Sequence, residues 1–339
     1  MTAITEVCAA LGIARLELPI PFREAGGAVN VYLIEEEDGS LALFDTGTGT
    51  EESLRKLEEG LATLGRTIED VRRVIISHGH VDHYGAARLI KERSSAAVFV
   101  HPADADKVCR GPGRKDFERY GAHLLRLGVP LEDLLRLSAA YRGHRSLGQR
   151  VEVVLPLEPG QELRFRRCVG RVVGMPGHTP GLVGLYFPEQ RVLMSSDHLL
   201  ARISPNPLLE LGSETDEARD AGGGHFRALV TYLDSITRTY EMDVDLVLPG
   251  HGPAFTDHRR VIEGLRTFYE ARQHKMLSAL RDAPLSPYEL VRRLFPDHER
   301  QDIFLMISEV VGNLEVLERR GAVQRLDGEP WRYRALKSA

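Results

Sequence analysis

From about Leu16 to Phe255, short apolar runs alternate with segments of helical spacing. Val29-Asn30-Val31-Tyr32-Leu33-Ile34 and Leu41-Ala42-Leu43-Phe44 predict two strands around the turn Asp38-Gly39. Leu54, Leu57, Leu61 and Leu64 recur at helical intervals and predict a helix over 51–64. Val74-Ile75-Ile76 reads as a buried strand; a helix follows His83, and a strand runs from Ala96 to Val100. Val172-Val173, Leu182 to Phe187, Val192-Leu193-Met194 and Leu246-Val247-Leu248 predict further strands, with a helix from Phe226 to Tyr240. This mixture predicts a layered sandwich of strands and helices.

Two stretches break the pattern. Between Ala103 and Arg150 the strands stop and Leu-rich helical segments take over, with ten Lys/Arg against six Asp/Glu. That stretch reads as a basic helical insertion. From Arg259 a long helix carries Val261, Ile262, Leu265, Phe268, Tyr269, Met276, Leu277 and Leu280. Ser286-Pro287-Tyr288-Glu289 supplies a capping box, and Pro296 closes the short helix after it. Phe304, Ile307, Val311 and Leu314 mark a third helix stopping near Gly321, and a hairpin follows around Asp327-Gly328. Three helices and a hairpin outline a winged helix. The expected division is therefore 1–258, with an insertion at about 103–150, and 259–339. Gly222-Gly223-Gly224, after the acidic stretch Glu214 to Asp220, reads as a loop shaping the pocket.

Composition narrows the classes. The 339 residues are 42% hydrophobic and 27% charged, with a formal net charge of −5. That excludes wholesale disorder and argues against a whole-chain footprint for nucleic acid or an anionic membrane. Cys8, Cys109 and Cys168 are too few and too scattered for a disulfide framework or a Cys-rich zinc finger. The start of the chain lacks a basic segment followed by an apolar one, and no window approaches a membrane span. The expectation is a soluble, cytoplasmic protein.

The chemistry concentrates in His78-Gly79-His80-Val81-Asp82-His83, directly after a strand. Three imidazoles and a carboxylate within six residues are a dense donor set for zinc, iron or manganese. His178 in Pro176-Gly177-His178-Thr179-Pro180-Gly181, Asp197 in Ser195-Ser196-Asp197-His198, and His251 in Pro249-Gly250-His251-Gly252 also sit where a strand runs out into a loop. In folds of strands and helices, that is where ligands gather.

This ordered set resembles the metallo-β-lactamase-fold hydrolase superfamily over most of the first 255 residues. The resemblance implies an α+β fold, a four-layer αβ/βα sandwich with the helical insertion and a C-terminal winged helix. It implies two divalent metal ions, zinc foremost with iron or manganese open. His78, His80 and His178 would hold one ion, Asp82, His83 and His251 the other, and Asp197 would bridge them. Asp45, in Phe44-Asp45-Thr46-Gly47, matches the first motif and would orient the ligands from behind.

Within the superfamily, the best-known drug-hydrolysing subclass has Cys where this chain has Asp197, and the flavodiiron oxidases have Glu where it has His80. Persulfide dioxygenases are not separated by motif. What remains resembles the glyoxalase II, lactonase and ribonuclease Z-like branches, and a subgroup with β-lactamase-like protein 2 that includes an endoribonuclease. The implied chemistry is attack by a metal-bridging hydroxide on a small ester, thioester or lactone, with Asp82 as ligand and proton carrier. Tyr84, His198, Tyr120 and His123 are candidates for the leaving-group proton but stay outside the catalytic set. Two alternatives stay open: cleavage of single-stranded RNA guided by the basic insertion, and a ligand-binding or regulatory role without catalysis. The third C-terminal helix carries Glu309, Glu315 and Glu318, which favours packing or homodimer formation over DNA binding.

Overall fold

The computed structural model describes residues 3–22, 27–110, 114–211, 225–296 and 303–336, with the backbone alone at 3, 114–119 and 140–145. The chain folds into two compact units: 1–111, 143–205 and 238–261 form one, and 112–142, 206–237 and 262–339 the other.

The first unit opens with helix α1 (Ala3–Ala10) and a six-stranded sheet. Its strands are β1 (Ile13–Pro19), β2 (Ala28–Glu35), β3 (Leu41–Phe44), β4 (Val71–Ile76), β5 (Ala97–Val100) and β6 (Leu155–Pro156), lying side by side in that order. The first three are antiparallel neighbours, and β3 to β6 run parallel. A second sheet has the order β13-β10-β9-β8-β7. Its members are β7 (Glu162–Arg164), β8 (Val169–Gly174), β9 (Val183–Phe187), β10 (Val192–Ser196) and β13 (Leu246–Pro249).

The period of two along the strands explains the layering. On β2, Val29, Val31 and Leu33 enter one core while Tyr32 and Ile34 enter another; on β3, Leu41 and Leu43 part from Ala42 and Phe44 in the same way. The first core packs against Leu57 and Leu61 of α2 (Glu51–Thr63) and Ala87 and Ile90 of α4 (Ala87–Ser94). The second packs against Val172, Leu185, Met194 and Leu248 of the other sheet. A single turn, α3 (Val81–Tyr84), sits at the end of β4, and α5 (Pro102–Arg110) follows β5.

The second unit contains α6 (Arg114–Arg126), α7 (Leu131–His144), the ribbon β11 (Glu210–Leu211) and β12 (His225–Phe226), and α8 (Ala228–Tyr240). It ends with α9 (His258–Leu280), α10 (Pro287–Leu294), α11 (Ile303–Arg319) and the hairpin β14 (Val323–Leu326) and β15 (Arg332–Ala335). Both hydrogen bonds of the capping box at Ser286 and Glu289 are present. Gly321, at φ +67°, follows the end of α11.

The expected boundary near residue 259 differs from this partition. The helical stretch is there, but 112–142 groups with the C-terminal helices instead of forming an insertion within the first unit. The reason is its apolar face: Leu124, Leu127, Val129 and Leu134 share one core with Leu209, Met276, Leu290, Ile307 and Leu314. The Gly222-Gly223-Gly224 loop and the acidic stretch before it lie outside the described residues. Among the described residues, no helix is long and apolar enough to cross a membrane.

Candidate metal centre

Every residue of the expected site follows the C-terminal end of a strand of the first unit. Asp45 follows β3, the 78–83 run follows β4, His178 follows β8, Asp197 follows β10 and His251 follows β13. Because β9 turns the chain back between β8 and β10, and β13 runs parallel to β10, the last three loops emerge at the same edge. The structure brings all seven expected ligands into overlapping groups: His78, His80 and His178; His78, His83 and Asp197; Asp82, His83 and His251. Within each group the donor atoms lie within 4.8 Å of one another.

Asp45, fully buried at φ +65°, organises one side. Its Oδ1 accepts the Ser77 backbone N–H at 2.8 Å, and its Oδ2 accepts both the Ser77 hydroxyl and His83 Nδ1–H at 2.8 Å. A carboxylate only accepts, so these bonds fix where the protons sit. With its hydroxyl proton directed at Asp45, Ser77 Oγ accepts from His78 Nδ1–H at 3.0 Å and from the Ser196 hydroxyl at 2.7 Å. His251 Nδ1–H donates to the Ala28 carbonyl at 2.6 Å. His78, His83 and His251 therefore all carry their ring proton on Nδ1 and turn Nε2 toward the cluster, as metal-binding histidines require.

The His251 loop is anchored by β2. Asn30 Nδ2 donates to the carbonyls of Pro249 and Gly252, each at 2.8 Å, its backbone N–H donates to Gly250 at 2.7 Å, and Tyr32 Oη donates to Pro249 at 2.8 Å. Asp104 lies fully buried between the 78–83 and 178 loops, accepting from Gly79 N, Thr179 Oγ1 and Gly181 N. Sequence reasoning missed Asn30, Ser77, Asp104 and Ser196, because their roles depend on partners from distant strands. The one local signal was Ser77, which directly precedes the first ligand.

The electrostatics are those of a site built for cations. Burial, then the neighbouring His83 and His80, hold the His78 pKa well below its ordinary value. Burial opposes charge on His83 and His251 as well, but nearby carboxylates, Asp197 foremost, outweigh it. His83 is raised well above the ordinary value and His251 to about 10. Burial works against ionised Asp82 and Asp197 too; His83 and His251 overcome it, lowering Asp82 to about 2 and Asp197 well below the usual carboxylate range.

Donor spacing tests whether an ion fits. Asp197 Oδ2 lies 3.5 Å from His83 Nε2, 3.5 Å from His178 Nε2 and 3.4 Å from His251 Nε2; Asp82 Oδ2 lies 3.5 Å from His251 Nε2. These are long for hydrogen bonds. Two donors sharing a tetrahedral zinc at about 2.0–2.2 Å stand roughly 3.3–3.6 Å apart. The buried atoms His83 Nε2, His251 Nε2 and Asp197 Oδ1 have no hydrogen-bond partner, which is costly unless an ion satisfies them. The residues around Asp197, His83 and His251 fit a metal, while His80 Nδ1, 3.0 Å from His78 Nε2 and 2.9 Å from His178 Nε2, stands closer than two ligands of one zinc.

The metallo-beta-lactamase superfamily model matches residues 25–251, a span that takes in every one of these residues. The chain belongs to this superfamily. A metallo-beta-lactamase family protein from Thermus thermophilus has a crystal structure that matches with a TM-score of 0.80 and 31% identity, covering 96% of this chain and 99% of that one. The probable metallo-hydrolase YqjP of Bacillus subtilis is 30% identical over 92% of this chain and 93% of its own length. The human acyl-coenzyme A thioesterase MBLAC2 is 27% identical over 52% of this chain and 60% of its own. Superfamily membership and the ligand clusters together support divalent metal ions and a metal-dependent hydrolase.

Of the four residues considered for the leaving-group proton, His198 is buried beside Asp197, with Nε2 2.8 Å from Thr239 Oγ1. Burial, reinforced by Arg238 and His178, lowers its pKa to about 3, so it is neutral at physiological pH. Tyr84 is buried in α3. Tyr120 and His123 belong to the second unit.

Proposed function

We propose that this chain is a hydrolase that holds two divalent ions, zinc foremost, and cleaves a small ester, thioester or lactone. The observation that carries the reading is the convergence of five imidazoles and two carboxylates in overlapping groups, with the buried atoms His83 Nε2, His251 Nε2 and Asp197 Oδ1 lacking a hydrogen-bond partner. His78, His80 and His178 are assigned to one ion and Asp82, His83 and His251 to the other, with Asp197 between them. When bound, such ions activate water and polarise a carbonyl oxygen. The remaining work falls to the chain. Asp45 and Ser77 hold the imidazoles in the proton arrangement that aims Nε2 inward. Asp82 is read both as a ligand and as an acceptor of the proton that water releases. The leaving group takes its proton from elsewhere.

Thioesters stand first among the substrates, supported by the human relative named as an acyl-coenzyme A thioesterase. The reading also includes an outer helical layer completing a four-layer sandwich and a winged helix in α9, α10, α11 and the β14–β15 hairpin. It further includes a cytoplasmic setting and a homodimer. The test is a panel of thioesters, lactones, aryl esters and single-stranded RNA on metal-replete protein, with His80→Ala as control. Thioester turnover lost in the control is expected. RNA cleavage at low salt without ester turnover would replace this reading, and fewer than one bound ion per chain would remove it.

A further inference from the structure

We infer that Asp104 is a positioning residue that sets the separation of His80 and His178. The inference rests on the metal-centre reading above and assigns Asp104 no contact with the ion.

Asp104 sits in the first turn of α5 with no exposed surface. Its Oδ2 accepts Gly79 N–H at 2.9 Å and the Thr179 hydroxyl at 2.6 Å, while Oδ1 accepts Gly181 N–H at 3.1 Å. Gly79 lies between His78 and His80, and Thr179 directly follows His178. One carboxylate thus joins the two loops whose imidazoles approach at 2.9 Å, from His80 Nδ1 to His178 Nε2. The fit leaves no slack. A Cβ on Gly181 would stand 2.8–2.9 Å from the Asp104 backbone N, Cβ and Cγ, and one on Gly79 would stand 2.8 Å from Lys107 Cδ. Three donors converge on an acceptor-only group, so aspartate is the matching residue. Asparagine would point an NH2 at a partner that can only donate.

The division of labour is complementary. Asp45 reaches His83 directly and His78 through Ser77, on the far side of the cluster. Asp104 serves the loops of His80 and His178: its three hydrogen bonds all go to those loops, and Lys107 Nζ of its own helix stands 3.8 Å from its Oδ1. Its effect should therefore be confined to one ligand group.

The test is zinc affinity by chelator competition, with thermal unfolding of the metal-free protein alongside. In otherwise native protein, Asp104→Asn is expected to weaken zinc binding about 10–100-fold, the range for groups that orient ligands. The decisive step is background: that loss should vanish in His80→Ala, where the positioned ligand is gone, and persist in His251→Ala. An equal loss in both backgrounds, or lower metal-free stability with unchanged affinity, would overturn the inference. If Asp104→Asn does not fold, Thr179→Val, which removes one donor, carries the same comparison with a smaller expected loss. Native protein that binds no zinc would instead overturn the metal-centre reading.

Discussion

Gly250 offers the sharpest steric test of the site. It precedes His251, and a Cβ built there would stand 2.3 Å from Asp197 Oδ1 and 3.1 Å from His83 Cε1. Ordinary contacts begin near 3.4 Å, so in Gly250→Ala something must move by about 1 Å. The backbone is held by the Asn30 and Tyr32 bonds to residues 249, 250 and 252, so the carboxylate is the part that gives. Its Oδ2 then leaves the 3.4–3.5 Å separations it keeps from His83, His178 and His251. A displacement of about 1 Å in a site costs on the order of 100-fold in turnover, and overpacking costs about 1–3 kcal/mol of stability. Gly250→Ala is therefore expected to lower ester or thioester turnover roughly 100-fold and weaken metal binding in chelator competition. Retention of metal affinity and turnover within about threefold of native would refute the steric reasoning. Gly264→Ala, on the exposed side of α9 with nothing within 4 Å, serves as the control and is expected to stabilise by about 0.5–1 kcal/mol.

Ser77→Ala removes the link between Asp45 and His78 and leaves a buried Nδ1–H without an acceptor; metal affinity is expected to fall about 10–100-fold, with Ser77→Thr restoring most of it. His123 concerns acid stability in the second unit, where burial, then His225 and Arg126, lowers its pKa to about 3. The unfolded chain takes up that proton below about pH 6.5 and the folded chain does not, so stability is lost as pH falls through this window, by about 2 kcal/mol at pH 5. His123→Leu is expected to remove that share of the loss in urea titrations read by Trp331, the single tryptophan, whose ring lies 5.3 Å from His123. Identical acid sensitivity in the two proteins would count against it.

What the sequence made legible was whatever local order encodes. The strands 29–34 and 41–44 lie within β2 and β3, and Leu57 and Leu61 face the core as their spacing implies. The ligand motifs were legible because each sits beside a strand end. The weak points are those that depend on topology. Strand β1, in which only Ile13 and Leu18 are buried and they lie on opposite faces, carries too mixed a pattern to stand out. The fate of 112–142 turned on which core Leu124 and Leu127 join, and no local spacing encodes that. Nothing in the local sequence marks Asp104, because its three hydrogen-bond partners lie 25, 75 and 77 residues away.

The placement of the ligands has a consequence for how the chain holds together. The 78–83 run hangs from the six-stranded sheet, whereas His178, Asp197 and His251 hang from the five-stranded one. Cys8, Cys109 and Cys168 are all free, so no disulfide ties these layers. An ion held by both sets would act as a cross-link between segments as distant as His78 and His251. Such a clasp stabilises by mass action, by about 4 kcal/mol when free metal exceeds its dissociation constant a thousandfold. Resistance to unfolding would then track the availability of metal in the surrounding solution.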